Sequence, residues 1–231
     1  MLVNKLVVAE RFLVANTKSS PPSGAARTQE VRRAEAEGRL VAAAADLVGE
    51  VGPAKVTLAN VGERAGYSRG LATHHFGSKG ALMQRLVETV THQFRSAMFD
   101  RGESADPITE LRTLIGIYFE VITDLQPVNR ARLVLWADAV ANPAEDTRAR
   151  MVATDREFRE EVEKRIAVAV SAGLASKTIH PQGLATVIVA VLRGVALQSL
   201  IDDDVDLVAA RREVEALLTH RFTTEQEEDR S

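Results

Sequence analysis

Beyond residue 30, apolar residues return at spacings of three and four along almost the whole chain, and no alternation of period two lasts more than a few residues. In a helix those spacings fall on one face, so each segment becomes a helix with a stripe to bury. The chain is predicted to be all-α. "VRRAEAEGRLVAAAADLVGEVGP" places Leu40, Ala43, Ala44, Leu47 and Val48 together and is stopped by Gly52 and Pro53. "SKGALMQRLVETVTHQFRSAMFD" does the same with Leu82, Leu86, Val90, Phe94 and Ala97. Asp106 and Pro107 supply a cap and first turn for a helix striped by Leu111, Leu114, Ile115, Tyr118, Phe119 and Ile122. A helix follows Pro127, and a long charged one begins near residue 144. The last two helices differ. "PQGLATVIVAVLRGVALQSLID" is apolar nearly all round and must be covered on more than one side, whereas "LVAARREVEALL" gathers Leu207, Ala210, Val214 and Leu217 on a single face.

A chain of 231 residues, 45% of them hydrophobic, suffices for one core or for a small domain joined to a larger one. The stretch "NTKSSPPSGAARTQ" (16–29) is rich in Pro, Ser and Gly and reads as a flexible linker or tail. No uncharged apolar run reaches membrane length, because Arg193 interrupts the nearest approach, so no span is predicted. Glu10 and Arg11 break the apolar opening "MLVNKLVVAERFLVAN", which argues against a secretory leader. With no cysteine there is no disulfide, thiolate metal site or thiol nucleophile, and a cytoplasmic location is expected.

Other chemistry finds no footing. His74 and His75 are neighbours on a helix, so their side chains diverge by about 100 degrees and cannot share an ion as an i, i+4 pair does. His92, His180 and His220 have no ligand-like spacing around them. "GERAGYSRG" lacks the Gly-Lys-Ser/Thr ending of a phosphate loop, and there is no Gly-x-Ser-x-Gly elbow. The carboxylates fall in runs such as "DREFREEVEK", the pattern of a solvated helix face. No catalytic residue, metal or cofactor is expected.

Nucleic acid accounts better for residues 57–79. Thr57 can cap a helix with Leu58 and Val61 inward; Gly62 permits close helix approach, Gly66 makes a turn, and Ser68 can cap a second helix after a short connection. On that second helix Ala72 and Phe76 face inward and Arg69, Gly70, Thr73 and His74 face out. Arg69 is the only long donor of that face able to pair twice with a guanine; Gly70 lets the backbone approach the bases, and Leu71 can touch a thymine methyl. Lys79, at the start of the next helix, suits a phosphate. Charge adds little. Residues 26–100 carry ten basic against eight acidic residues, and residues 101–231 carry sixteen against twenty-three. A helical dimer that senses a ligand or protein partner without specific DNA binding is the alternative this weak asymmetry leaves open.

The order of a helix over 33–50 and then "TLANVGERAGYSRGLATHHFGSKGAL" resembles the DNA-binding domain of the tetracycline-repressor (TetR) family of bacterial regulators. "LW" at 135–136 and "LRGVALQSLID" at 192–202 resemble its BetI-type subgroup. The resemblance implies a three-helix helix-turn-helix domain over 30–78 and a larger helical ligand-binding and dimerisation domain over 79–220, between a 1–29 extension and a polar 221–231 tail. It implies phosphate contacts from Thr57, Thr73, His75 and Lys79, and base approach by Ser68, Arg69, Gly70, Leu71 and His74. The family usually has tyrosine where this chain has Thr73, whose hydroxyl reaches less far. Arg27, Arg32 and Arg33 could form a minor-groove or phosphate arm. The implied protein is a homodimeric repressor that leaves a palindromic double-stranded operator when a small-molecule effector binds. Its effector residues are expected among Tyr118, Phe119, Trp136, Arg132 and Arg193, with Asn129, Asp138 and Gln198 as further polar candidates. Its dimer contacts are expected at Ala190, Gly194, Leu197, Val214 and Leu217.

Overall fold

The computed structural model of the chain describes residues 24–100, 106–124, 126–142 and 146–228. Among the described residues every regular element is helical: α1 Gly24–Val51, a 3-10 turn Pro53–Lys55, α2 Leu58–Arg64, α3 Arg69–Phe76, α4 Lys79–Phe99, α5 Pro107–Thr123, α6 Pro127–Ala141, α7 Asp146–Ser171, α8 Pro181–Ile201 and α9 Leu207–Glu228. Two compact units are distinguished. One runs to Glu37, and its described part is the beginning of α1; the other, Gly38–Ser231, holds both hydrophobic clusters.

Caps set the helix starts. Thr57 Oγ1 accepts from the Asn60 amide at 3.2 Å while the Thr57 amide donates to Asn60 Oδ1 at 2.8 Å, a reciprocal capping box. Ser78 accepts from Ala81 N at 3.1 Å, Asp106 from the amides of Ile108 and Thr109, and His180 Nδ1 from Gly183 N at 3.1 Å. The Thr109 hydroxyl bonded to Asp106 also holds that carboxyl below its ordinary pKa.

The smaller cluster joins Leu40, Ala44 and Val48 of α1 to Val61, Ala72, Leu82 and Leu86, and it takes in Ala131, Leu135 and Ala139 of α6. The larger one is built from α4 to α9 around Phe94, Ile115, Tyr118, Phe158, Ile166 and Leu192. α6 therefore serves both, since its Leu133 belongs to the second cluster.

Two boundaries and one helix face differ from the sequence reading. Residues 24–29, expected in the linker, already form the first turns of α1, while 16–23 lie outside the described residues. Residues 221–228, expected in a polar tail, continue α9, because Phe222 comes one turn after Leu218 and is buried with it. Leu217 does not share the inward face of α9. That face runs Leu207, Ala210, Val214, Leu218 and Phe222, leaving Leu217 65% exposed. From Val214 a step of four residues drifts only about 40 degrees, whereas a step of three falls about 60 degrees to the other side. α8 is long and apolar enough to cross a membrane by length and composition. One side of it packs in the core through Ala185, Ile188, Val189, Leu192 and Ala196.

Candidate functional site

α2 and α3 meet through a tight turn. Gly66 has φ of 77 degrees; its amide donates to Glu63 O at 3.0 Å, and the Tyr67 amide reaches back to Gly62 O at 2.9 Å. This is the Schellman end of a helix, in which the left-handed residue is cheapest as glycine. Gly62 is needed for a different reason: a Cβ there would lie 2.7 Å from Ser68 O, so its missing side chain is what lets the start of α3 rest on α2. The pair is tied to α1 by Arg64, which holds Glu50 through two bonds of 2.8 and 2.7 Å and keeps the Glu50 carboxyl below its ordinary pKa. Arg39 lies over the Tyr67 ring at 4.9 Å.

This scaffold turns one face of α3 outward. Ala72 is buried and Phe76 half-buried, whereas Ser68, Arg69, Gly70, Thr73 and His74 are exposed, as the sequence pattern predicts. Leu71 and His75 are half-buried at the margin. Thr57 and Lys79 are exposed at the starts of α2 and α4, and Lys79 Nζ donates to Ala54 O at 2.8 Å, which fixes the ammonium beside the turn before α2. Two details differ from expectation. Ser68 sits at the N-cap of α3 without a side-chain capping bond, its backbone carbonyl instead accepting from Leu71 N at 3.0 Å. Arg32 and Arg33 are exposed on α1 and helical, so they do not form the extended arm that enters a minor groove. Sequence reading also missed Glu63, which forms an ion pair with Arg69 in the free protein. Its position one turn before Gly66, facing the start of α3, was the available signal.

Residues 40–86 match the family described as bacterial regulatory proteins of the tetR family, and residues 107–223, half of the chain, match the C-terminal domain of BetI-type transcriptional repressors. The chain belongs to the TetR family. The HTH-type transcriptional regulator BetI of Paraburkholderia phytofirmans is 30% identical over 117 residues, 50% of this chain and 58% of that protein. The BetI of Paraburkholderia phymatum is 29% identical over 157 residues, 64% of this chain and 78% of its own. The first of these matches thus spans less than two thirds of the relative's length. A TetR transcriptional regulator from Chloroflexus aurantiacus shares the fold, with a TM-score of 0.73 at 18% identity over 82% of this chain and 97% of that one.

Three of the five expected effector residues, Arg132, Trp136 and Arg193, come together with Thr91, Phe94, Met151, Thr154, Asp155 and Phe158 around a crevice. The void left between them is about 10 Å³, room for one water. The Arg193 guanidinium lies 4.3 Å from the Trp136 ring centre and pairs with Asp155. Tyr118 and Phe119 were expected here too. They are 1% and 3% exposed in the core, with Tyr118 stacked on Phe158 at 6.0 Å, so they support the crevice instead of lining it. Asn129 is spent on the carbonyls of Val121 and Asp124, Asp138 accepts from Asn142, and Gln198 is exposed. Asp155 was missed because its run of charges reads as a solvated face. Yet Met151, Asp155, Phe158 and Val162 follow each other at four, three and four residues, which puts the carboxylate on the buried stripe.

The residues expected at a dimer contact divide. Val214 is buried in the subunit's own core, where α9 packs, and so is unavailable to a partner. Leu197 is half-buried against the same cluster. Ala190, Val187, Val191 and Ile201 are exposed on α8, and Gly194 beside them has open space where a Cβ would go.

Proposed function

We propose that this protein is a sequence-specific DNA-binding repressor of the bacterial cytoplasm, acting as a homodimer on a palindromic operator and released by a small molecule. The observation that carries this reading is the exposed face of α3, where Arg69, Gly70, Thr73 and His74 project from a helix that packs on the core through Ala72 and Phe76. Arg69 reads a base once it leaves Glu63, an exposed pair that contributes roughly 0 to 1 kcal/mol and so yields easily to a guanine. Ser68, Gly70, Leu71 and His74 approach bases; Thr57, Thr73, His75, Lys79 and Arg33 serve phosphates.

The dimer forms along α8. Val187, Val191, Gly194 and Ile201 follow at spacings of four, three and seven residues and make an uncovered apolar stripe, with Ala190 beside it and Leu217 of α9 also exposed. A two-fold contact there sets two copies of α3 against successive major-groove faces, about 34 to 36 Å apart. An effector at the Arg132, Trp136 and Arg193 crevice acts on DNA binding through α6, which shares a core with α1 and α4. A coupling of about 1 to 3 kcal/mol is typical of such linkage.

The test is fluorescence anisotropy of the full chain on labelled DNA from upstream of its own gene, at about 150 mM salt with excess unrelated competitor. Saturable binding that survives competitor supports a specific regulator. Binding lost equally to any competitor refutes it and favours a sensing module without sequence preference.

A further inference from the structure

Arg132 is 5% exposed, and its Nε and Nη2 are buried without a hydrogen-bond partner. Its guanidinium rests 3.9 Å from the centre of the Phe94 ring, a contact that leaves those N–H groups unused. Burial pushes its pKa down and the like charge of Arg193 adds to the effect, partly offset by Tyr118 and Asp155, yet a guanidinium stays protonated in a protein. The carboxylate on the crevice wall is already engaged. Arg193 pairs with Asp155 Oδ1, and Arg159 donates to Oδ2 at 2.8 Å. Two guanidinium groups thus share the one carboxylate, and a third, the more deeply buried Arg132, has no carboxylate partner.

An unpaired buried charge is costly, and such a cost persists where a ligand relieves it. Resting on the effector reading above, we propose that the crevice binds a small organic monoanion whose carboxylate lies between Arg132 and Arg193 and whose apolar body lies among Phe94, Trp136 and Phe158. A planar carboxylate matches the fork of a guanidinium, and three aromatic rings with Met151 suit an unsaturated or aromatic body. A neutral ligand leaves Arg132 unpaired, and a cation adds repulsion. Because the present void holds only about one water, binding must widen it. Trp136 is the half-buried wall and sits on α6, so widening displaces the helix that also serves the core of the DNA-binding domain.

Trp136 is the only tryptophan of the chain and lies against Arg193, so its fluorescence reports this crevice directly. The full chain is titrated with benzoate and, separately, with benzamide and benzylammonium, which keep the ring and change the charge; sodium chloride at equal ionic strength is the control. A saturable response to benzoate is expected, with benzamide and benzylammonium about tenfold weaker or silent. Arg132→Met should abolish that response and, having lost a buried unpaired charge, should melt above the unliganded parent. Should Arg132→Met not fold, Arg132→Lys decides, since it keeps the charge without the fork and is expected to weaken benzoate about tenfold. No response to benzoate, an equal response to benzamide or chloride, or an undiminished benzoate response in the folded variant overturns the proposal. None of these readouts involves DNA, so they stand or fall apart from operator binding.

Discussion

Arg130 Nε donates to the carbonyl oxygen of Gly49 at 2.9 Å, and that carbonyl has no helical partner because the residue four positions on is Pro53. A helix end leaves such acceptors open, and proline has no N–H to offer. The contact is close. A Cβ at Gly49 would fall 3.1 Å from Arg130 Cδ, so the glycine makes room for the arginine stem. The end of α1, which supports the helix-turn-helix, is in this way held by the helix that carries Arg132 and Trp136.

Arg130→Ala should lower stability by about 1 to 3 kcal/mol, the usual effect of leaving a buried carbonyl unsatisfied. Urea unfolding followed by circular dichroism measures it. A change below about 0.5 kcal/mol would mean that water replaces the guanidinium without loss.

Gly62→Ala sets two effects against each other. Helix propensity gains roughly 1 kcal/mol, but the new methyl meets the Ser68 carbonyl, which is backbone and cannot swing away. The clash is expected to win by about 1 to 2 kcal/mol and to lower both the melting temperature and operator affinity. A more stable variant would show that α2 and α3 can separate freely.

Arg69→Ala should cost about 1 to 3 kcal/mol on the operator and relax sequence preference, while Lys79→Ala should weaken binding to all DNA and flatten the salt slope by about one unit. Competition titrations at several salt concentrations separate the two. Equal loss on every sequence for Arg69→Ala would remove its base-reading role, and an unchanged slope for Lys79→Ala would remove Lys79 from the phosphate contacts.

Gly194→Phe places a large side chain where the subunit has open space, so the fold should tolerate it while a close helix partner should not. Light scattering is expected to show monomers with a melting curve as cooperative as the parent's, and operator affinity should fall. A dimer that persists would put the subunit contact elsewhere.

Most of the helix-turn-helix was legible because its constraints are local. The Thr57 cap, the Gly66 turn and the inward side of Ala72 each depend on residues a few positions apart, and the period of an α-helix turns such spacing into direction. The fold class was legible for the same reason, from stripes repeated along the chain. The Ser68 cap failed locally: the residue type permits a capping bond, but its side chain makes none.

The crevice and the uncovered face of α8 were decided by tertiary structure. Sequence could name Arg132, Trp136 and Arg193 by character, but not show that Asp155 reaches Arg193, that Arg132 Nε and Nη2 are buried without a hydrogen-bond partner, or that Tyr118 lies behind the crevice in the core. Likewise it could place Val214 and Leu217 near one side of α9, but packing buried the first and exposed the second. Helical periodicity follows from bonds within a few residues, so the chain carries it in its own order. Which stripes meet, and which charge they enclose unpaired, depends on contacts between residues far apart in that order, and those exist only once the helices have packed.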